Sequence, residues 1–325
     1  MNIRERRAIH ETAQHALHRA DKHRNIPLTY AAICCGMALI ATVANSLLGN
    51  RISGSGGLGN IGLRSILSTG QSILPLVNLI LTVCLTMGYH TAILSITRGF
   101  EATPRTLMCG FRHFGPVLRA LILQAVTYLA TALAAMYISS TIFMLTSWAD
   151  PFMEAMEPYL STIAGSTLVV DETILAAASE HMMPMMWILA IVCVVLMVPL
   201  YYRFRMVNFC LADDPRLGAI FAIVKSRRMM RRNCFALFRL DLDLWWFYLG
   251  QLLVGLISYG NVLLFMAGVS FPWSDTVSNY LFYILSLIAQ VVLYYFGMNR
   301  VYAVYAVAYD ALQEELPKPE LPVQE

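Results

Sequence analysis

Met183-Pro184-Met185-Met186-Trp187-Ile188-Leu189-Ala190-Ile191-Val192-Cys193-Val194-Val195-Leu196-Met197-Val198-Pro199-Leu200-Tyr201-Tyr202 contains no Asp, Glu, Lys or Arg. A helix of about 20 residues rises about 30 Å, the thickness of a hydrocarbon core. Arg203 and Arg205 follow at once. Outward from this stretch lie five more of the same kind, near 28–48, 71–97, 120–147, 244–269 and 278–299. The chain is therefore expected to be all-α and polytopic, with six transmembrane helices in a single domain over 1–312 and a proline-rich, disordered tail over 313–325.

The basic residues orient these spans. Of 23 Lys and Arg, six lie in 1–27, four in 98–119, nine in 203–243 and two in 300–325. Only Arg51 and Arg64 fall in the alternate gaps 49–70, 148–182 and 270–277. Basic residues flanking a span stay on the cytoplasmic side, so both termini are expected there. The 148–182 gap carries acids and no Lys or Arg, which suits an outside loop, and its helical patterns suggest a small folded cap.

Composition agrees with a membrane chain. Charged residues are 13% of the total and mean hydropathy is +0.60, whereas soluble domains carry about 25% charge. The first apolar run begins only near residue 28 and no small-residue cleavage site follows, so the first span is expected to stay as an anchor. The basic segments are short and flank spans, which argues for a membrane surface and against nucleic acid.

Three stretches on the expected cytoplasmic side read as amphipathic interfacial helices: 3–24, 103–114 and 215–239. The third is the clearest. Asp213, Asp214 and Pro215 form a helix-cap element, with proline at the first helical position. Leu217, Ile220, Phe221 and Val224 recur at helical spacing, and Lys225, Arg227, Arg228, Arg231, Arg232 and Arg239 follow. Basic residues beside an apolar stripe suit anionic headgroups. Each interfacial stretch precedes an outward span, an outside loop and an inward span, giving three helix-hairpin units, 1–98, 99–213 and 214–312. The inward spans end alike, in Gly88-Tyr89-His90-Thr91-Ala92, Val207-Asn208-Phe209-Cys210-Leu211-Ala212 and Val304-Tyr305-Ala306-Val307-Ala308-Tyr309.

Little in the chain points to chemistry. The glycine run at 54–62 lacks the Gly-Lys-Ser/Thr ending of a phosphate-binding loop. His15 and His18 have no carboxylate or Cys to complete a metal set, and no cofactor is expected. His90, near the inner end of the second span, is an intramembrane candidate. So are the neutral polar residues Gln124, Gln251, Asn261 and Gln290, either as interhelical hydrogen-bonding groups or as the lining of a polar cavity. Gly250, Gly255 and Gly260 would let helices approach closely. The spans hold no carboxylate for ion coupling, and no nucleophile–base pair stands out for a membrane enzyme.

One resemblance is specific. Val198-Pro199, Leu211-Ala212-Asp213-Asp214-Pro215, Ser226-Arg227-Arg228-Met229-Met230, Asn233, Leu237-Phe238 and Trp245-Trp246 follow one another in order. With Gly88-Tyr89 through Arg98-Gly99 and Gly110-Phe111-x-x-Phe114, this run resembles the domain of unknown function 975 family of bacterial integral membrane proteins. The chain departs from the family's pattern at Asp214, Arg232, Cys234 and Leu200, as a divergent member would. The resemblance implies a multi-span membrane protein and brings no established activity. The resulting expectation is a plasma-membrane, non-enzymatic module that engages anionic lipid, or an unidentified membrane or cytoplasmic protein, through 215–239. The alternatives are a permease or export component with a neutral polar cavity and, less favoured, a lipid-acting membrane enzyme.

Overall fold

The computed structural model describes residues 3–19, 25–54, 61–154, 183–260 and 275–315. Among these residues there is no strand. In chain order the helices are α1 (Ile3–Arg19), α2 (Asn25–Gly54), α3 (Ile61–Thr97), α4 (Cys109–Arg112), α5 (Phe114–Met144) and α6 (Met183–Phe204). They continue with α7 (Val207–Asp213), α8 (Ala219–Met230), α9 (Cys234–Asp243), α10 (Trp245–Ser258), α11 (Asp275–Leu293) and α12 (Asn299–Glu314). Short 3₁₀ turns at Pro104–Met108 and Pro215–Leu217 precede α4 and α8, and a π segment at Tyr294–Met298 joins α11 to α12.

Five helical stretches are long and apolar enough to cross a membrane: Asn25–Leu48, Ser68–Thr97, Phe114–Met144, Met183–Asp213 and Tyr280–Glu314. A sixth is reached if α9 and α10, bent by 72° at their junction, form one broken span. The expected fifth span, 244–269, runs partly outside the described residues. So do the acidic 148–182 loop beyond residue 154, part of the glycine-rich 49–70 loop, and the tail from 316. Many large apolar side chains on these helices are exposed, among them Ile40, Leu129, Ile191 and Ile288. Water would oppose so much apolar surface, and lipid would not.

The chain divides into two compact units, residues 1–121 with 206–325, and residues 122–205. The second unit is the middle of the second expected hairpin, where Tyr128 meets Phe204 edge-on at 5.7 Å. The first unit holds most of the deeply buried residues. Its centre is where α3, α7 and α12 pack together, the three inward ends whose sequences are alike. Tyr89, Ala92, Ile93, Val207, Phe209, Cys210, Tyr305 and Tyr309 are all at most 1% exposed there.

Two glycines explain why the 103–114 stretch is a turn and a four-residue helix, and not the single short helix its pattern suggests. A Cβ on Gly88 would sit 1.9 Å from the carbonyl oxygen of Leu107, and one on Gly110 would sit 1.9 Å from that of Cys84. The segment is thus held backbone to backbone against α3, and this close seat fixes its path. In the pair α10–α11, a Cβ on Gly250 would come within 2.7 Å of Leu293, and one on Gly260 within 2.7 Å of Phe282. Gly255 has nothing within 4 Å, so only two of the three glycines serve close approach.

Gly88→Ala and Gly110→Ala should each destabilise the protein by at least about 1–3 kcal/mol, the range for overpacking, because a backbone carbonyl must move. Gly255→Ala should leave stability nearly unchanged. Thermal melting of the purified protein in detergent, followed by intrinsic tryptophan fluorescence, compares the three.

Candidate functional site

Asp213 ends α7, and Arg98 comes one residue after α3. Gly99, with φ 84°, takes the chain away in a conformation that glycine adopts without strain. The Arg98 guanidinium is thereby free to fork between two helices. Its Nη1 donates to Asp213 Oδ1 at 2.5 Å, and its Nη2 and Nε donate to Asp310 Oδ1 and Oδ2 at 2.7 and 3.4 Å. The bonds to Asp310 are the leading cause that raises the Arg98 pKa, against the burial that opposes its charge. Asp213 Oδ2 accepts from Tyr309 Oη at 3.1 Å and lies 4.0 Å from Lys225 Nζ. One carboxylate thus ties α3, α8 and α12 to the end of α7.

Below this junction the aromatic rings are layered. Phe209 stacks on Tyr309 at 5.9 Å, and His90 meets Phe209 and Tyr302 edge-on at 4.5 and 5.1 Å. His90 is 4% exposed, with Nδ1 2.6 Å from the Thr86 carbonyl oxygen. It is a packed ring in an aromatic layer. Tyr305 of α12 and Tyr248 of α10 both donate to Asp241 Oδ1.

The basic stretch 215–239 has a different shape from one continuous helix. Asp214 Oδ1 accepts from Arg216 N at 2.9 Å and so caps the 3₁₀ turn, while Gly218, with φ 77°, stands before α8. The helix then stops at residues 231–233. There Asn233 Nδ2 donates to the carbonyl oxygen of Met229 at 3.2 Å, satisfying a C-terminal orphan and competing with helix continuation. Spacing alone did not show this break. On α8, Ala219, Ala222, Ser226, Met229 and Met230 are buried. On the other side Ile220, Phe221 and Val224 are exposed, followed by Arg227, Arg228 and Arg231. Positions 220, 221, 224, 227, 228 and 231 share one helical face, apolar at its start and basic at its end. Arg232 is exposed beyond it, and α9 adds exposed Phe235 and Phe238, with Arg239 over the Phe235 ring at 4.4 Å. Lys225 is placed apart from the others. Its ammonium turns inward, donating to Tyr309 Oη at 3.1 Å.

The intramembrane polar candidates separate. Gln290 Nε2 donates to Gln251 Oε1 at 3.3 Å, so two of them bond each other. Gln124 lies on α5 in the other compact unit, and Asn261 lies outside the described residues. Sequence reading missed Arg98 and Asp310 as partners; the only signal was a lone arginine directly after an uncharged span and an acid in the last helix.

The model of the family described as protein of unknown function (DUF975) matches residues 12–298. The chain belongs to this family. No curated protein and no solved structure matches it. Several residues of the DUF975-like motif run have structural positions: Ser226, Met229, Met230 and Leu237 are buried, and Gly88 and Gly110 make the backbone contacts described above. Asp213 ties the junction, whereas Asp310 and Tyr309 lie past the matched residues.

Arg98→Gln should cost about 1–3 kcal/mol, between the limits for exposed and for buried pairs, since all three side chains are partly exposed. Combining it with Asp310→Asn should cost less than the two single changes together. A double-mutant cycle built from chemical or thermal unfolding in detergent reads that coupling.

Proposed function

We propose that this DUF975 protein is a multi-span membrane protein of the plasma membrane, non-enzymatic, whose α8–α9 segment engages anionic lipid headgroups on the cytoplasmic side. The observation that carries this reading is the outer face of α8. Ile220, Phe221 and Val224 are 65%, 70% and 46% exposed, and the exposed Arg227, Arg228 and Arg231 continue the same face. Apolar side chains that enter the acyl boundary beside guanidinium groups that meet phosphates are what an interfacial helix needs. The buried face of α8 is already packed, so the exposed one has no role in the core of its own unit. The cytoplasmic side follows from the one-sided distribution of Lys and Arg along the chain.

The mutual hydrogen bond of Gln251 and Gln290 counts for less polar lining and so for the lipid reading over the permease reading. Interhelical bonds of this sort contribute about 0.6 kcal/mol on average and suit packing between spans.

Each basic residue near an anionic surface is worth about 1 kcal/mol, or roughly a fivefold change in local lipid enrichment. In nanodiscs of mixed zwitterionic and anionic lipid, the full-length protein should retain anionic lipid preferentially, as read by native mass spectrometry. The Arg227→Gln/Arg228→Gln/Arg231→Gln variant should lose most of that enrichment, and raising salt should do the same in the wild type. An unchanged lipid profile in both experiments rejects the reading. For orientation, a reporter enzyme that is active only outside the cytoplasm should be silent when fused at the C-terminus; activity there would reverse the assigned side.

A further inference from the structure

Away from the α8 face, α1 lies against α12, and Asp243 at the end of α9 meets α1. Arg6, Arg7 and His10 of α1, Asp243 at the end of α9 and Arg300 of α12 line a cavity of about 400 Å³. That is within the range of small-ligand sites, about 300–1,000 Å³. Three guanidinium groups face one carboxylate. Arg6 Nη1 takes that carboxylate at 3.2 Å, and no carboxylate among the described residues is paired with Arg7 or Arg300. His10 Nε2 is buried without a hydrogen-bond partner, 3.7 Å from Asp243 Oδ2. A cavity lined by two guanidinium groups without an ion pair among the described residues, and by an imidazole nitrogen whose carboxylate neighbour is 3.7 Å away, suits an anion with several acceptor oxygens.

The place of the cavity narrows the anion. Arg300 follows the apolar stretch 278–299, and Asp243 precedes the apolar stretch that begins at 244. Trp245, two residues beyond Asp243, is 60% exposed, as a tryptophan at a membrane–water boundary commonly is. These positions put the cavity at the charged ends of two uncharged stretches of the sequence, the level expected for lipid phosphates. We propose that Arg6, Arg7, His10 and Arg300 form a saturable site for the phosphate group of an anionic membrane lipid. Arg7 and Arg300 supply the charge and the forked donors, Asp243 holds Arg6 in position, and His10 donates from Nε2. The site rests on the reading that the protein engages anionic lipid, but it is a discrete pocket at another place. None of its residues belongs to the α8 face. Arg6, Arg7, His10 and Arg300 all lie outside the family-matched residues 12–298.

The state of His10 gives a second readout. Burial holds its pKa below the ordinary 6.5; Asp243 pulls it upward, and Arg300 and Arg6 press it down. A phosphate between the guanidinium groups adds negative charge beside the ring, so occupancy should raise that pKa and draw a proton to His10.

The test uses the full chain in a zwitterionic detergent, with dioctanoyl phosphatidate, dioctanoyl phosphatidylcholine and inorganic phosphate as probes. Binding of phosphatidate should saturate, and Arg7→Gln/Arg300→Gln should weaken it at least about tenfold, the loss of roughly one charge-assisted contact. Both arginines are exposed and carry no ion pair among the described residues, so the variant should melt with the wild type. The α8 variant Arg227→Gln/Arg228→Gln/Arg231→Gln should keep the saturable site. Phosphatidate should also move the His10 ring resonances toward the protonated form at a pH near 6.5, which phosphatidylcholine should not do. Loss of binding in the α8 variant with retention in Arg7→Gln/Arg300→Gln overturns the pocket while leaving the α8 reading in place. Phosphatidate and inorganic phosphate binding equally well overturns the lipid as occupant, and no saturable binding of either overturns the site.

Discussion

The fork of Arg98 between Asp213 and Asp310 is the constraint on which the first compact unit turns. Where α3 and α7 end beside α12, carbonyls are left without helical partners, and a charge near such an end must be either solvated or paired. Arg98 stands one residue past α3, where a cation is favoured by the helix dipole. It reaches the last residue of α7 and a residue in the last turns of α12, 115 and 212 positions away along the chain, so three distant chain segments are fixed by one planar group. Tyr309 extends the arrangement downward. Its hydroxyl donates to Asp213 and its ring stacks on Phe209, which joins the polar junction to the aromatic layer holding His90. The charges specify which helix ends meet; the rings fill the space beneath them.

That arrangement accounts for how Lys225 and its neighbours divide. Along α8 the positions 219, 222, 226, 229 and 230 are taken by small or flexible side chains against α7, and Lys225 sits at the edge of that buried stripe. Its four-carbon stem lets the ammonium reach Tyr309 and the Asp213 carboxylate, where it balances charge in the junction. The next basic residues, Arg227 and Arg228, are turned by helical geometry to the opposite side. A single basic run in the sequence thus serves two ends: one member pins the helix to its unit and the others face away from it.

Much of this was legible in the chain. Uncharged stretches of span length give the apolar helices, and the ordered motif run from Val198 to Trp246 identifies the family. The proline-initiated turn after Asp214 was legible too, although Asp214 caps a 3₁₀ turn and Gly218 precedes the longer helix. Three features were not. The break at 231–233 depends on Asn233 bonding back to Met229, and an asparagine in a basic, helix-favouring run carries no strong breaking signal of its own. The pairing of Arg98 with Asp310 joins residues 212 apart, for which a single sequence has no periodicity to offer. The third is Gly88 with Gly110: each is unremarkable as a glycine near a span end, and only the backbone contact with the 104–110 segment shows why a methyl group does not fit.

The two basic surfaces of the chain differ in a way that bears on what each can hold. On α8 the arginines are spread along an open face with apolar side chains leading into it, and such a face attracts charge without selecting shape. At the α1–α12 junction the guanidinium groups surround a concave space, and a carboxylate already fixes one of them. Concavity limits how many oxygens can be engaged at once. A membrane surface would populate the first in proportion to its charge density and the second by occupancy. The distinction follows from geometry alone, since the residue types are nearly the same in both places.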